Sequence, residues 1–232
     1  MRIAMWSGPR NLSTAMMYSF GARADFSIMD EPFYAPFLAA TGNDHPMRDQ
    51  IIAAHEINPQ AVARDCLSPQ DTPHLYMKHM PHHMLPDFPM DWAKNCVNVH
   101  LIRHPARVIA SYSAKWEGLT ADDIGFAQQA ALFDKLGGVV IDSFDIRQNP
   151  EKALRRLCTA LDLSFDPAML SWPAGPCAED GVWAAHWYNA VHKSTGFAGA
   201  EGELPTLTGH HADLLEAALP YYRAMKDHAL KV

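Results

Sequence analysis

Short apolar runs alternate with amphipathic segments along most of this chain, and few folds can satisfy that alternation. Ile3 to Ser7, Phe26 to Met29, His74 to Lys78, Val97 to Ile102 and Gly138 to Asp142 read as buried strands, each closed by turn-forming or charged residues. Between them lie helical patterns. One carries Leu12, Met16, Met17 and Phe20 behind Asn11 or Ser13 as a cap, two follow over 46–56 and 59–66, and others cover 105–115, 122–136, 150–162 and 211–228. Parallel strands buried on both sides read as continuous apolar runs, so the pattern predicts an α/β fold of three layers: a central, mostly parallel sheet flanked by helices. Ligands of such folds sit at the carboxyl ends of the strands. Residues 171–208, rich in Trp, Gly and Pro, show little periodicity and read as an ordered flank or lid, so residues 1–232 are expected to form one domain.

Charge and cysteine content narrow the function classes. The formal net charge is -7, so nothing global attracts nucleic acid or an anionic membrane, and an anion site must be built from locally concentrated cations. Cys66, Cys96, Cys158 and Cys177 form no CxxC pair, which argues against a zinc ribbon or a disulfide framework and suits a reducing cytoplasm. The opening MRIAMWSGPRN meets Gly8-Pro9 too early for a secretory signal, and nothing downstream approaches the roughly 20 apolar residues of a membrane span. A homodimer is the base-rate expectation for assembly.

Two segments could carry chemistry. In W-S-G-P-R-N-L-S-T the first strand runs through Gly8, Pro9, Arg10 and Asn11 into a helix beginning near Ser13 and Thr14. A turn feeding a helix N-terminus aims backbone N–H groups and the positive end of the helix dipole at one point, which suits an anion. The Walker lysine is absent, which weakens a nucleoside-triphosphatase reading. Taken alone, Ser13 and Thr14 could equally be caps and Arg10 a surface charge. In Arg103-His-Pro-Ala-Arg-Val-Ile-Ala-Ser111-Tyr112, Arg103 ends the clearest strand and Arg107 shares a helix face with Ser111. Arg103 could bind a phosphate there or simply pair with a carboxylate. His79, His82 and His83 have the spacing of zinc ligands on one helical turn, but Pro81 interrupts that turn, and packed or solvent-facing histidines are the commoner outcome.

Together the two segments, S-G-P-R-x-x-S-T and R-x-P-x-x-V-x-x-S-Y, closely resemble the cofactor motifs of the sulfotransferases that use 3'-phosphoadenosine-5'-phosphosulfate (PAPS), members of the P-loop superfamily. The resemblance implies that Arg10, Ser13 and Thr14, with the Gly8–Asn11 turn, hold the 5'-phosphosulfate, and that Arg103 and Ser111 hold the 3'-phosphate. Lys78-His79-Met80-Pro81 is similar to the family segment that supplies a catalytic base, which would be His79. In bacterial relatives an acidic residue after the second strand takes that role, here Glu31. Lys193-Ser-Thr-Gly196-Phe197 is similar to the basic loop that closes over the 3'-phosphate, without its double-basic start, and gives Lys193 and Gly196 that part. Trp183, Trp187 and Tyr188 could stack on adenine, wall an acceptor pocket or pack in the core.

Sulfuryl transfer needs a base beside the acceptor hydroxyl or amine, and positive charge where the leaving phosphate oxygen develops negative charge. Glu31 or His79 can serve the first need and Arg10 or Lys78 the second, with no metal demanded. The expected reaction is sulfuryl transfer from PAPS to a small-molecule acceptor. Two rivals are an ATP-dependent P-loop kinase and a catalytically silent nucleotide-binding protein of the same fold.

Overall fold

The computed structural model describes residues 1–116 and 118–232. Five strands, β1 (Arg2–Ser7), β2 (Phe26–Asp30), β3 (His74–His79), β4 (Val97–Ile102) and β5 (Val139–Asp142), form one sheet in the order β2-β3-β1-β4-β5. Every pairing is parallel, as the run-like strands predict. Side chains alternate across a strand, and both faces are covered. On one face Ile3, Met5, Tyr76, Val99 and Leu101 join a large apolar cluster. On the other, Ala4, Trp6, Leu75 and Met77 pack with Val62, Ala63 and Trp92.

The helices are α1 (Ser13–Gly21), α2 (Tyr34–Thr41), α3 (Arg48–Ala54), α4 (Pro59–Asp65), α5 (Pro105–Ser113), α6 (Ala121–Ile124), α7 (Phe126–Leu136), α8 (Ser143–Gln148), α9 (Pro150–Ala160), α10 (Ala184–Trp187) and α11 (His210–Lys226). Three of them, α2, α8 and α10, are not apparent in the sequence pattern. Helix α2 buries Tyr34, Ala35, Pro36, Phe37 and Leu38 and shows no apolar stripe, while its Pro36 sits in the first turn, where no intrahelical N–H is lost. The single helix expected over 122–136 is divided at Gly125, whose φ of 67° ends α6.

Because β1 lies between β3 and β4, the chain leaves it toward one edge of the sheet and later returns to the other side. The crevice of a parallel sheet opens at such a switch, beyond the carboxyl ends of the strands. The turn after β1, Glu31 after β2, Met80 after β3 and Arg103 after β4 therefore all face one region.

Edge strand β5 begins against an unusual close approach. Gly138 has a φ of +119°, and a Cβ built there would lie 2.2 Å from the Asn98 carbonyl oxygen. Gly138→Ala is expected to lower stability by about 2–4 kcal/mol, since neither the backbone nor the facing carbonyl can yield cheaply. A Tm within 2 °C of the parent's would contradict this packing.

Candidate functional site

A cavity of ≈ 370 Å³ lies at the carboxyl ends of the strands, with Pro9, Arg10, Ser13, Thr14, Glu31, Lys78, Arg103 and Ser111 in its wall. Its first side is the turn after β1. Arg10 and Leu12 have φ of 63° and 77°, and Glu31 has 39°, so three of the five non-glycine residues with positive φ among the described residues border this cavity. Such conformations cost of order 1–3 kcal/mol each, and they cluster where a backbone is held for function. The cap position of α1 falls on Leu12, with no side-chain cap, instead of on Asn11 or Ser13 as the sequence suggested. The first-turn N–H groups thus keep their capacity for an external acceptor. Asn11 is buried and donates to the Leu101 carbonyl at 3.2 Å. A Cβ on Gly8 would come 2.8 Å from the Ile124 carbonyl oxygen. Neither Gly8 nor Asn11 is in the cavity wall; both shape the turn from behind.

Arg10 reaches across to the second motif, donating from Nε to Ser111 Oγ at 3.0 Å. Burial, and next the charge of Arg103, pull its guanidinium below the ordinary arginine value. Arg103 donates from Nη1 to the Arg10 carbonyl at 2.5 Å and pairs through Nη2 with Glu201. Arg107 also turns to Glu201, Nε to Oε2 at 3.1 Å, away from the Ser111 partnership expected along α5. The two motifs therefore share one corner, and a carboxylate from the irregular stretch before α11 enters it.

The opposite side is a buried charge cluster. The β2–β3 register sets Asp30 beside Lys78. Lys78, with a fully buried side chain, donates to Asp30 Oδ1 at 3.0 Å and also to Glu31 Oε1 and the Tyr188 hydroxyl. Tyr188 further bonds Asp30 at 2.8 and 2.9 Å and accepts from Trp183 Nε1 at 3.0 Å. Burial alone would push the Lys78 ammonium down, but Asp30 and Glu31 outweigh it and hold it up. For Glu31, burial pushes the carboxyl above the usual range against the pull of Lys78, and Asp30 adds to the rise. His83 Nδ1 stands 3.9 Å from Glu31 Oε2 and its ring stacks on Tyr34. Burial first, then His82 and His45, holds His83 neutral far below the ordinary imidazole value.

His79 stands elsewhere. Strand β3 runs one residue further than expected and includes it, so strand alternation turns His79 to the face opposite Lys78. Its ring stacks on Trp6 with centroids 4.7 Å apart and packs against Trp92 at 4.9 Å. It does not line the cavity. Of the two expected candidates for a base, Glu31 lines the cavity and His79 does not, and the His79, His82, His83 trio is split between two layers. Among the described residues no group of three or more His, Cys, Asp or Glu is placed to hold a metal. Lys193 is exposed and also outside the cavity wall, whereas Gly196 and Ser194 line it.

The profile of the family described as "Sulfotransferase domain" matches residues 1–229, nearly the whole chain. The chain belongs to the sulfotransferase domain family. This sulfotransferase domain is 37% identical over 232 residues to "Branched-chain-amino-acid aminotransferase-like protein 1" and 35% identical to its counterpart protein 2, both of Arabidopsis thaliana. Those alignments take in 97% of this chain but only 42% and 41% of the relatives, so the chain spans about two fifths of the length of these curated relatives. Its fold is shared with the sulfotransferase domain from the curacin biosynthetic pathway (TM-score 0.57, 17% identity, covering 94% of this chain and 97% of that one). Mouse sulfotransferase SULT7A1, solved in complex with PAP, is similar in the same way (TM-score 0.57, 13% identity, 99% and 89% covered). The cavity also contains residues to which the motifs gave no role. Tyr34, His45 and Arg147 line it without any sequence signal, whereas Asp30 adjoins Glu31, His82 belongs to the histidine trio and Tyr112 closes the second motif.

Proposed function

We propose that residues 1–232 act as one sulfotransferase unit that moves a sulfuryl group from PAPS to a hydroxyl or amine of a small acceptor. The observation that carries this reading is the sharing of one cavity by two ends of different chemistry: the uncapped α1 N-terminus with Arg10, Ser111 and Arg103 at one end, and Glu31 on Lys78 at the other. The donor end suits a nucleotide carrying more than one phosphate, because open N–H groups and several guanidinium donors adjoin along one wall. PAPS, when bound, supplies an activated sulfuryl group and leaves as the bisphosphate.

Glu31 takes the acceptor's proton on its carboxylate, and its elevated pKa makes it a better base near neutral pH than an ordinary glutamate. Lys78 is already engaged with two carboxylates and positions Glu31. Arg10, which has no carboxylate partner among the described residues, is the cation that meets charge on the leaving oxygen. His83, neutral and fixed against Tyr34, borders Glu31 where an acceptor would enter. The four unbonded cysteines are compatible with a reducing cytoplasm, and no described helix is long and apolar enough to cross a membrane.

Calorimetric titration with adenosine 3',5'-bisphosphate tests the donor end. One-to-one binding is expected, and Arg10→Ala should weaken it about 10- to 100-fold, the worth of a charge-assisted contact. No heat at millimolar ligand would overturn the reading, as would Mg²⁺-dependent ATP turnover.

A further inference from the structure

Three arginines from separate elements converge beside the cavity on a single carboxylate. Arg103 follows β4, Arg107 lies in α5 and Arg147 in α8, and all three pair with Glu201: Arg103 through Nη2, Arg107 Nε to Oε2 at 3.1 Å, and Arg147 Nη1 to Oε1 at 3.1 Å. The segment bearing Glu201 wraps the same guanidinium groups with its backbone. The Gly199 carbonyl accepts from Arg147 Nε and Nη2 at 2.9 and 2.6 Å, and the Gly202 carbonyl accepts from Arg107. Gly199, Ala200, Gly202 and Glu203 are all exposed, whereas the Glu201 side chain is only 3% exposed. One side chain is turned inward from an otherwise solvated loop.

Charge counting shows what that corner would hold best. Three guanidinium groups face one negative charge, and Arg10, bonded to Ser111, adds a further cation at the edge. A carboxylate leaves this cluster with surplus positive charge. A phosphate dianion, with more acceptor oxygens and twice the charge, would match it more fully. Arg103 Nε is buried without a partner, a donor that Glu201 leaves unused.

We propose that Glu201 is a resident anion in the outer-phosphate corner, which a ligand's outer phosphate must displace, and that it thereby sets how strongly the site prefers doubly over singly phosphorylated adenosine. The proposal rests on the donor-binding reading above and adds a specificity-determining residue to it. With Glu201 in place, the outer phosphate exchanges one anion for another and adds little affinity. Without it, the phosphate meets three uncompensated arginines.

The test compares the wild type with Glu201→Gln by titration with adenosine 3',5'-bisphosphate, adenosine 5'-monophosphate and inorganic phosphate, each at one fixed salt concentration. Glu201→Gln is expected to tighten the bisphosphate at least 10-fold and the monophosphate less than 2-fold, so the preference rises about 10-fold. Inorganic phosphate should raise the Tm of Glu201→Gln well beyond its effect on the wild type. Weaker or unchanged bisphosphate binding in a variant that unfolds cooperatively overturns the proposal and makes Glu201 a latch holding the loop over the ligand. If Glu201→Gln does not fold, Glu201→Asp draws the carboxylate back by one methylene, and a smaller tightening of the bisphosphate alone is expected; none overturns the proposal. If neither nucleotide binds either protein, the donor-binding reading fails. The inorganic phosphate comparison then still decides whether Glu201 fills an anion site.

Discussion

Glu31→Gln is expected to lower sulfuryl transfer about 10²- to 10⁴-fold, the usual contribution of a positioned general base, while leaving bisphosphate affinity nearly unchanged. The amide keeps the volume of the carboxylate and an oxygen that can still accept from Lys78, and Asp30 at 3.0 Å still balances the ammonium. The protein should therefore fold and bind its nucleotide with the proton acceptor removed. The pH profile separates this role from a structural one. Burial raises the Glu31 pKa, and only the deprotonated form can accept a proton. The wild-type rate should therefore climb with pH through that elevated value and level off above it, and the residual rate of Glu31→Gln should lose this limb. Steady-state rates from pH 5 to 9 on both proteins check it. A variant retaining the same rising limb would move the base to another group.

The frame of this molecule was legible because burial on both faces leaves parallel strands apolar throughout. Val97–Ile102 and Val139–Asp142 announce themselves as strands in almost any context. The turn after β1 was legible for a related reason, since few residue patterns carry a chain from a buried strand straight into a helix. What failed was more local. Helix α2 is buried around most of its circumference and so lacks a stripe to recognise. Whether His79 could share the site with Lys78 turned on a single residue of strand length. With β3 ending at Lys78, both side chains could reach the site. With β3 running through His79, alternation sends the two to opposite faces, and the register Trp6↔His79 places the imidazole on the indole. Glu201 was invisible in advance, because it lies in a loop with no periodicity and its partners come from three segments 54 to 98 residues away. Short motifs report the residues that share a turn; they are silent about what a distant loop brings to meet them.

Acid should destabilise the fold steeply, and His79 is one of four histidines, with His82, His83 and His100, whose strongly lowered pKa values drive the effect. His79 is fully enclosed with Nε2 unpartnered, and burial depresses its pKa to about 3. His100, also fully buried, bonds the Gly137 carbonyl with one ring nitrogen and leaves the other unpartnered. Burial, against that bond, takes it to about 4. Unfolded, each ring would titrate near pH 6.5. Because the folded values lie below the unfolded one, the unfolded chain binds more protons in acid. The stability is thus fully present above about pH 6.5 and drains as the pH falls toward the folded values. At pH 5 each ring costs roughly 2 kcal/mol, about 4 kcal/mol for the pair, a large share of the 5–15 kcal/mol typical of a folded protein. Glu31 works in the opposite sense, since its raised pKa makes the folded state the better proton acceptor in acid. The single-site comparison is therefore the cleaner measurement. His79→Phe keeps an aromatic ring against both Trp6 and Trp92 and removes the titration. Urea unfolding at pH 7 and pH 5 should show the variant losing roughly 2 kcal/mol less than the wild type over that interval. Equal losses in the two proteins would mean that His79 reaches solvent or a proton donor in the folded state, and its enclosure against the two tryptophans would be wrong.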